Sequence, residues 1–182
     1  GWESALATAD SLAHEGLWAF SLQVYSRPGV APACLGLQDR RGTDVNLLLH
    51  ALWCGSRGYF ISPVERQTLC EAVSDWHENV VKPLRHARRW MKGSQTACGP
   101  EAAALRQAIK KQELQAERLE QQLLEATLTP TPAEGSPPVA AQNLLGLLSQ
   151  PSMEDLQDLV VLLASLWPQA DMPQLQSFVR PT

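Results

Sequence analysis

The sequence predicts an all-α fold: a small helical bundle with a long kinked antiparallel helical hairpin and a helical C-terminal tail. Three observations carry this. Apolar residues recur at spacings of three and four along most of the 182 residues. No convincing run alternates apolar and polar residues, and β-branched residues are sparse. Helix start and stop signals fall in register with the apolar pattern.

Leu6, Ala9, Ala13, Leu17, Phe20 and Val24 read as one amphipathic helix, ended by Pro28-Gly29. Ala31 to Gln38 forms a short second helix, and Asp39-Arg40-Arg41-Gly42 reads as a turn. Thr43 is placed to cap a third helix running to about Cys54, where Gly55 and Gly58 break the chain. Ser62-Pro63-Val64-Glu65 is a strong helix start. The Ser62 hydroxyl can accept from the amide of residue 65, Pro63 needs no amide there, and Glu65 can reach back. This helix should run to about Lys92 and stop at Gly93. Pro83 lies inside it and predicts a kink near 79–82.

Pro100 opens another helix, to about Thr127. Leu105, Ile109, Ala116, Leu119 and Leu123 form a narrow apolar stripe along it, to be packed in cis or against a second copy. At about 1.5 Å per residue, each of these two helices spans roughly 40 Å. The short link between them predicts an antiparallel hairpin. Residues 127–140 carry four prolines and read as a linker. The organisation expected is therefore a core domain at 1–126, a proline-rich linker at 127–140 and a tail at 141–182. Ser152-Met153-Glu154-Asp155 resembles a capping box, and Leu156, Leu159, Val160, Leu163 and Trp167 share one face. Asp171 can cap a last turn. The tail is too small to fold well alone and should dock on the bundle, a partner or another copy.

Apolar residues make up 45% of the chain and charged residues 19%, as in ordinary globular proteins. No stretch is apolar for 18 residues, so no transmembrane segment is expected. No secretory signal is read. Cys34, Cys54, Cys70 and Cys98 have no paired spacing, which fits free thiols in a reducing compartment; a cytoplasmic location is expected. The net charge of −4 is uneven. Residues 1–94 hold 10 Lys and Arg against 9 acids, and residues 95–182 hold 5 against 10. A uniformly basic nucleic-acid binder is excluded, so anion binding would need a local patch.

Several segments carry a pattern of their own. These are Leu17-Trp18-x-Phe20-Ser21-Leu22, Tyr25, Pro28-Gly29-Val30, Ala33-Cys34-Leu35, Leu37-Gln38-Asp39, Gly42 and Asp44-Val45-Asn46-Leu47-Leu48-Leu49. Leu52-Trp53, Trp76, Val80-Val81-x-Pro83-Leu84-Arg85, Arg88-Arg89 and Glu113-Leu114-x-Ala116-Glu117-Arg118 continue it. Across roughly residues 16–126 the chain resembles an uncharacterised proteobacterial family of short conserved helical proteins. The resemblance implies a cytoplasmic all-helical protein and carries over no catalytic residues.

Two clusters stand out. Lys82, Arg85, Arg89 and Lys92 fall at i, i+3, i+7 and i+10 on one helix side, flanked by His86 and Arg88. No acid lies between residues 79 and 100. Such a face can bind carboxylates or phosphates, and Arg favours directed contacts. A solvated helix end is the plainer reading, since cations suit the C-terminal dipole. Trp90 lies among these cations and, with Trp2 and Trp167, is a candidate interface anchor; most of the aromatics sit at core spacing. The second cluster is Asp39, Asp44, Asn46 and His50, with Gln38, Arg40 and Arg41 around it. Asn46 and His50 are four apart, one turn past Asp44. They suit a small acid–base or ligand site, or a set of helix-packing bonds.

No paired Cys or His spacing announces a metal, and no cofactor is expected. No nucleophile elbow or phosphate-binding glycine loop occurs, so no catalytic residue is assigned. The function expected is a non-enzymatic cytoplasmic adaptor that binds an acidic or phosphate-bearing partner through the basic helix face. The alternatives are a small-ligand protein or enzyme using the polar cluster, and an RNA- or ribosome-associated factor.

Overall fold

The computed structural model describes residues 9–180, so Trp2 and Leu6 lie outside the described residues. Among these the chain is all-α, with no strand. The first predicted helix is two: α1 (Ala9–Ala13) and α2 (Leu17–Tyr25). The break frees the carbonyls of Ala13 and Glu15 from helix bonding. Both accept from the Arg57 guanidinium, and Glu15 also accepts from the Trp53 indole. Next, α3 (Val30–Arg41) runs through the predicted turn and ends at Gly42, whose left-handed φ of 69° suits glycine. The extension matters because Arg40 and Arg41 then reach the tail.

The cap of α4 (Val45–Ser56) is Asp44 rather than Thr43; its carboxylate accepts from the Asn46 amide at 2.9 Å. α4 is the central helix, buried on nearly every side from Leu48 to Ser56. It passes through Gly55 instead of breaking there. A Cβ on Gly55 would lie 2.4 Å from Ala140, so the missing side chain is what lets the tail approach.

α5 (Pro63–Trp76) starts with the expected capping box of Ser62 and Glu65. A π turn, His77–Val81, joins it to α6 (Lys82–Gly93). This is the irregularity that Pro83 predicts. Proline offers no N–H to the Asn79 carbonyl, and the preceding turn widens so that the Lys82 amide bonds His77. α7 (Pro100–Thr127) returns antiparallel to α5 and α6. Its packed face coincides with the predicted stripe only at buried Ala116 and half-buried Ile109. Glu113, Ala116, Glu120, Gln121 and Leu124 are buried, whereas Leu105, Leu119 and Leu123 are exposed. Polar partners on the body, described below, pull the helix round.

Residues 128–136 cross the body as a bonded strap. The Leu128 carbonyl meets His50 Nε2 at 2.9 Å, and the Pro130 carbonyl accepts from Arg57 at 2.5 Å. The Ser136 amide donates to the Gly55 carbonyl at 3.1 Å. The tail begins inside the predicted linker, with α8 (Pro137–Leu145) capped by Ser136. α9 (Met153–Leu166) has a capping box of Ser152 and Asp155, and α10 (Met172–Phe178) follows Asp171, which caps without a side-chain bond. Asn143 ties α8 to the body, accepting from the Ile61 amide at 2.9 Å and donating to the carbonyls of Ala51 and Tyr59. Arg40 and Arg41 grip Asp155, and Arg40 also reaches Asp158 and Glu154. Phe20, Trp53, Leu144, Leu159 and Leu163 share one hydrophobic core, so the tail completes the bundle. Among the described residues no helix is long and apolar enough to cross a membrane.

Candidate functional site

The hairpin α6–α7 has a buried root and a bare tip. No residue from 82 to 112 is buried. Residues 79–112 hold eight Lys and Arg against one acid, Glu101, while the rest of the chain holds seven against eighteen. The arm is therefore strongly basic and the body strongly acidic.

The predicted basic residues divide into two groups. Arg85 and Arg88 turn inward to α7. Arg88 pairs through Nε and Nη2 with Glu113, its Nη2 at 3.1 Å from Oε1. Arg85 lies 3.4 Å from Glu113 and 3.3 Å from Glu117. These pairs clamp the hairpin root, so neither arginine is a free partner contact. Lys82, Arg89, Trp90 and Lys92 stay exposed. Lys82 pairs with Glu78 one turn away, and Arg89 has Asp39 at 3.7 Å; both pairs are solvent-exposed and weak. Among the described residues Lys92, Lys110 and Lys111 hold no ion pair. Trp90 is 56% exposed. Trp167 is instead half-buried on the core, at the edge of an apolar groove between α9 and α10.

The second predicted cluster does not assemble. Asp39 is exposed on α3 beside Arg89. His50 is buried against the Leu128 carbonyl and within 3.8 Å of the Cys54 sulfur, and burial lowers its pKa. The space beside it holds about 10 Å³, room for about one water. Asn46 accepts from Gln121, which also donates to Ser21, each at 3.0 Å. The helix geometry that puts Asn46 and His50 on one face is right, but that face is filled by α7 and the strap.

Asp44 instead meets two residues from other helices. His77 Nδ1 lies 2.7 Å from Glu120 Oε1 and 3.2 Å from Asp44 Oδ2. Glu120 is fully buried. Burial, then the neighbouring Glu120, holds the Asp44 carboxyl well above its ordinary range. Burial likewise raises Glu120, and it lowers His77 against the opposing pull of Asp44. The site thus has two desolvated acids and one imidazole. Sequence reasoning missed His77 and Glu120. The available signal was Glu113, Glu117 and Glu120 at i, i+4 and i+7, an acidic face aimed at the cations of α6.

A family model described as "Protein of unknown function (DUF2390)" matches residues 16–124. The chain belongs to this family. The DUF2390 span contains all of α6, α7 up to residue 124, and Asp44, His77 and Glu120, and it ends just before the strap. No curated protein and no solved structure matches the chain.

Proposed function

We propose that this DUF2390 protein is a non-enzymatic interaction protein whose basic α6–α7 arm docks on an anionic surface of a macromolecular partner. The observation that carries the reading is the division of the arm. Arg85 and Arg88 are consumed by Glu113 and Glu117, while among the described residues Lys92, Lys110 and Lys111 hold no ion pair, Arg89 holds only a weak one, and Trp90 is exposed. A two-helix projection without a core gains little by itself. Cations around an exposed tryptophan suit an interface in which the ring anchors and the charges steer. The acidic body disfavours other approaches to an anionic partner. The setting is a reducing cytoplasm. Cys34 and Cys54 are buried free thiols, pushed up to about 12 by burial, and so are unreactive.

Affinity capture from native lysate, with and without nuclease, tests this. Wild type is run beside Arg89→Glu/Lys92→Glu, which spares the clamped Arg85 and Arg88. A nuclease-resistant partner lost in the variant is the expected result. Capture that disappears with nuclease and falls steeply between about 50 and 200 mM salt would replace it with RNA binding. Equal capture by both proteins would remove the arm from consideration.

A further inference from the structure

We infer that Asp44, His77 and Glu120 form a binding site for one divalent transition-metal ion of the Mn²⁺, Fe²⁺ or Zn²⁺ class. The three come from three elements: the N-cap of α4, the first residue of the π turn and the C-terminal third of α7. One ligand atom from each lies within 4.8 Å of the others. Two cis donors on an ion with bonds of about 2.1 Å sit about 3 Å apart. The two distances at His77 Nδ1, 2.7 and 3.2 Å, bracket that value.

One imidazole cannot supply both acids, so without an ion one carboxyl must stay protonated and share its hydrogen with the other. His77 Nδ1 carries at most one hydrogen, yet two carboxylate oxygens face it. Among the described residues Glu120 Oε2 has no hydrogen-bond partner, although the residue is fully buried. An unpaired buried carboxylate oxygen is costly, and a cation satisfies it. Asp44 Oδ1 is already held by the Asn46 amide, which orients Oδ2 as a ligand. One nitrogen and two or three carboxylate oxygens suit a borderline divalent ion with open positions for water. The His77 and Asp44 side chains are 11% and 9% exposed, which gives the ion and its waters a way in. π turns recur at functional sites, and this one presents a ligand. A bound ion would pin the root of the arm to the body, and uptake would release protons held among the three groups, so binding should tighten as pH rises.

The test uses the full chain, stripped with chelator and titrated with Mn²⁺ and, separately, Zn²⁺. Mn²⁺ guards against capture by the exposed Cys98 thiol, because it has little affinity for thiolate. One ion per chain is expected, and substoichiometric Mn²⁺ should broaden the His77 ring signals before those of His14, His50 and His86. Glu120→Gln should weaken binding at least 10-fold while circular dichroism shows the metal-free fold retained. The wild-type spectra decide on their own if that variant does not fold. No saturable binding of either ion up to about 1 mM, broadening that starts at another histidine, or wild-type affinity in a folded Glu120→Gln protein would each overturn the inference.

Discussion

Replacing Arg57 with Ala removes a guanidinium that three parts of the chain share. Its Nε donates to the Ala13 carbonyl at 2.7 Å, Nη1 to Pro130 at 2.5 Å and Nη2 to Glu15 at 3.1 Å. It also lies 4.2 Å from the centre of the Trp53 ring. Glu15 keeps a second donor in Trp53, so the substitution orphans two carbonyls, those of Ala13 and Pro130. Each orphan costs about 1–3 kcal/mol. The lost cation–π contact adds to this, and relief of the buried charge subtracts from it. A net loss of about 3–4 kcal/mol follows, and thermal unfolding should move down by about 6–16 °C for a chain of this size. Arg57→Lys keeps the charge without the planar fork and should recover only part of the loss. Calorimetry of the three proteins checks this, with hydrogen exchange at residues 128–136 as a local readout. A midpoint for Arg57→Ala within about 3 °C of wild type would refute the view that the strap is fixed to the body through this side chain.

Gly55→Ala drives a methyl into the Ala140 backbone and should cost about 1–3 kcal/mol, measured by urea unfolding, with exchange protection of α8 falling most. In the presence of chelator, Glu120→Gln should become more stable relative to wild type as pH rises from 5 to 8. Burial raises the folded Glu120 pKa, so its contribution is full below about pH 4.3 and is lost as pH climbs through the folded value. The Gln side chain stays neutral, and urea midpoints across pH should diverge in that direction; parallel curves would contradict it. Arg88→Ala should cost about 1–2 kcal/mol because Glu113 keeps only Arg85. Arg89→Ala should stay within about 0.5 kcal/mol, since its partner Asp39 is exposed; thermal melts separate the two.

Much of the fold was legible because its signals are local. Ser62 and Ser152 each bring their capping partner three residues later, and Pro83 marks the π turn within a few residues. Other features depend on residues far apart in sequence. Glu113 and Glu120 gain a role only when Arg88 and His77, 25 and 43 positions earlier, are brought opposite them. The same pairing rotates α7, which is why Leu105, Leu119 and Leu123 face outward. Composition made residues 127–140 a linker, because prolines announce extended chain but not the donors that await it. Those donors are Arg57 and His50, more than 70 positions away. The basic side chains of α6 were correctly placed on a helix, yet periodicity cannot tell Arg88, which clamps the root, from Arg89, which faces out. Sequence proximity puts Asp44 beside His50, whereas the fold gives it His77 and Glu120.

The central claim is that the tip of the arm is where this protein meets its partner. The most direct measurement places a photo-crosslinking amino acid at position 90 in living cells, and at the more exposed position 64 as a control. A discrete adduct from position 90 that is absent from position 64, and is lost when Arg89→Glu/Lys92→Glu is added, is the predicted result. Adducts of the same kind from both positions, or an adduct at 90 that survives the charge reversal, would contradict it.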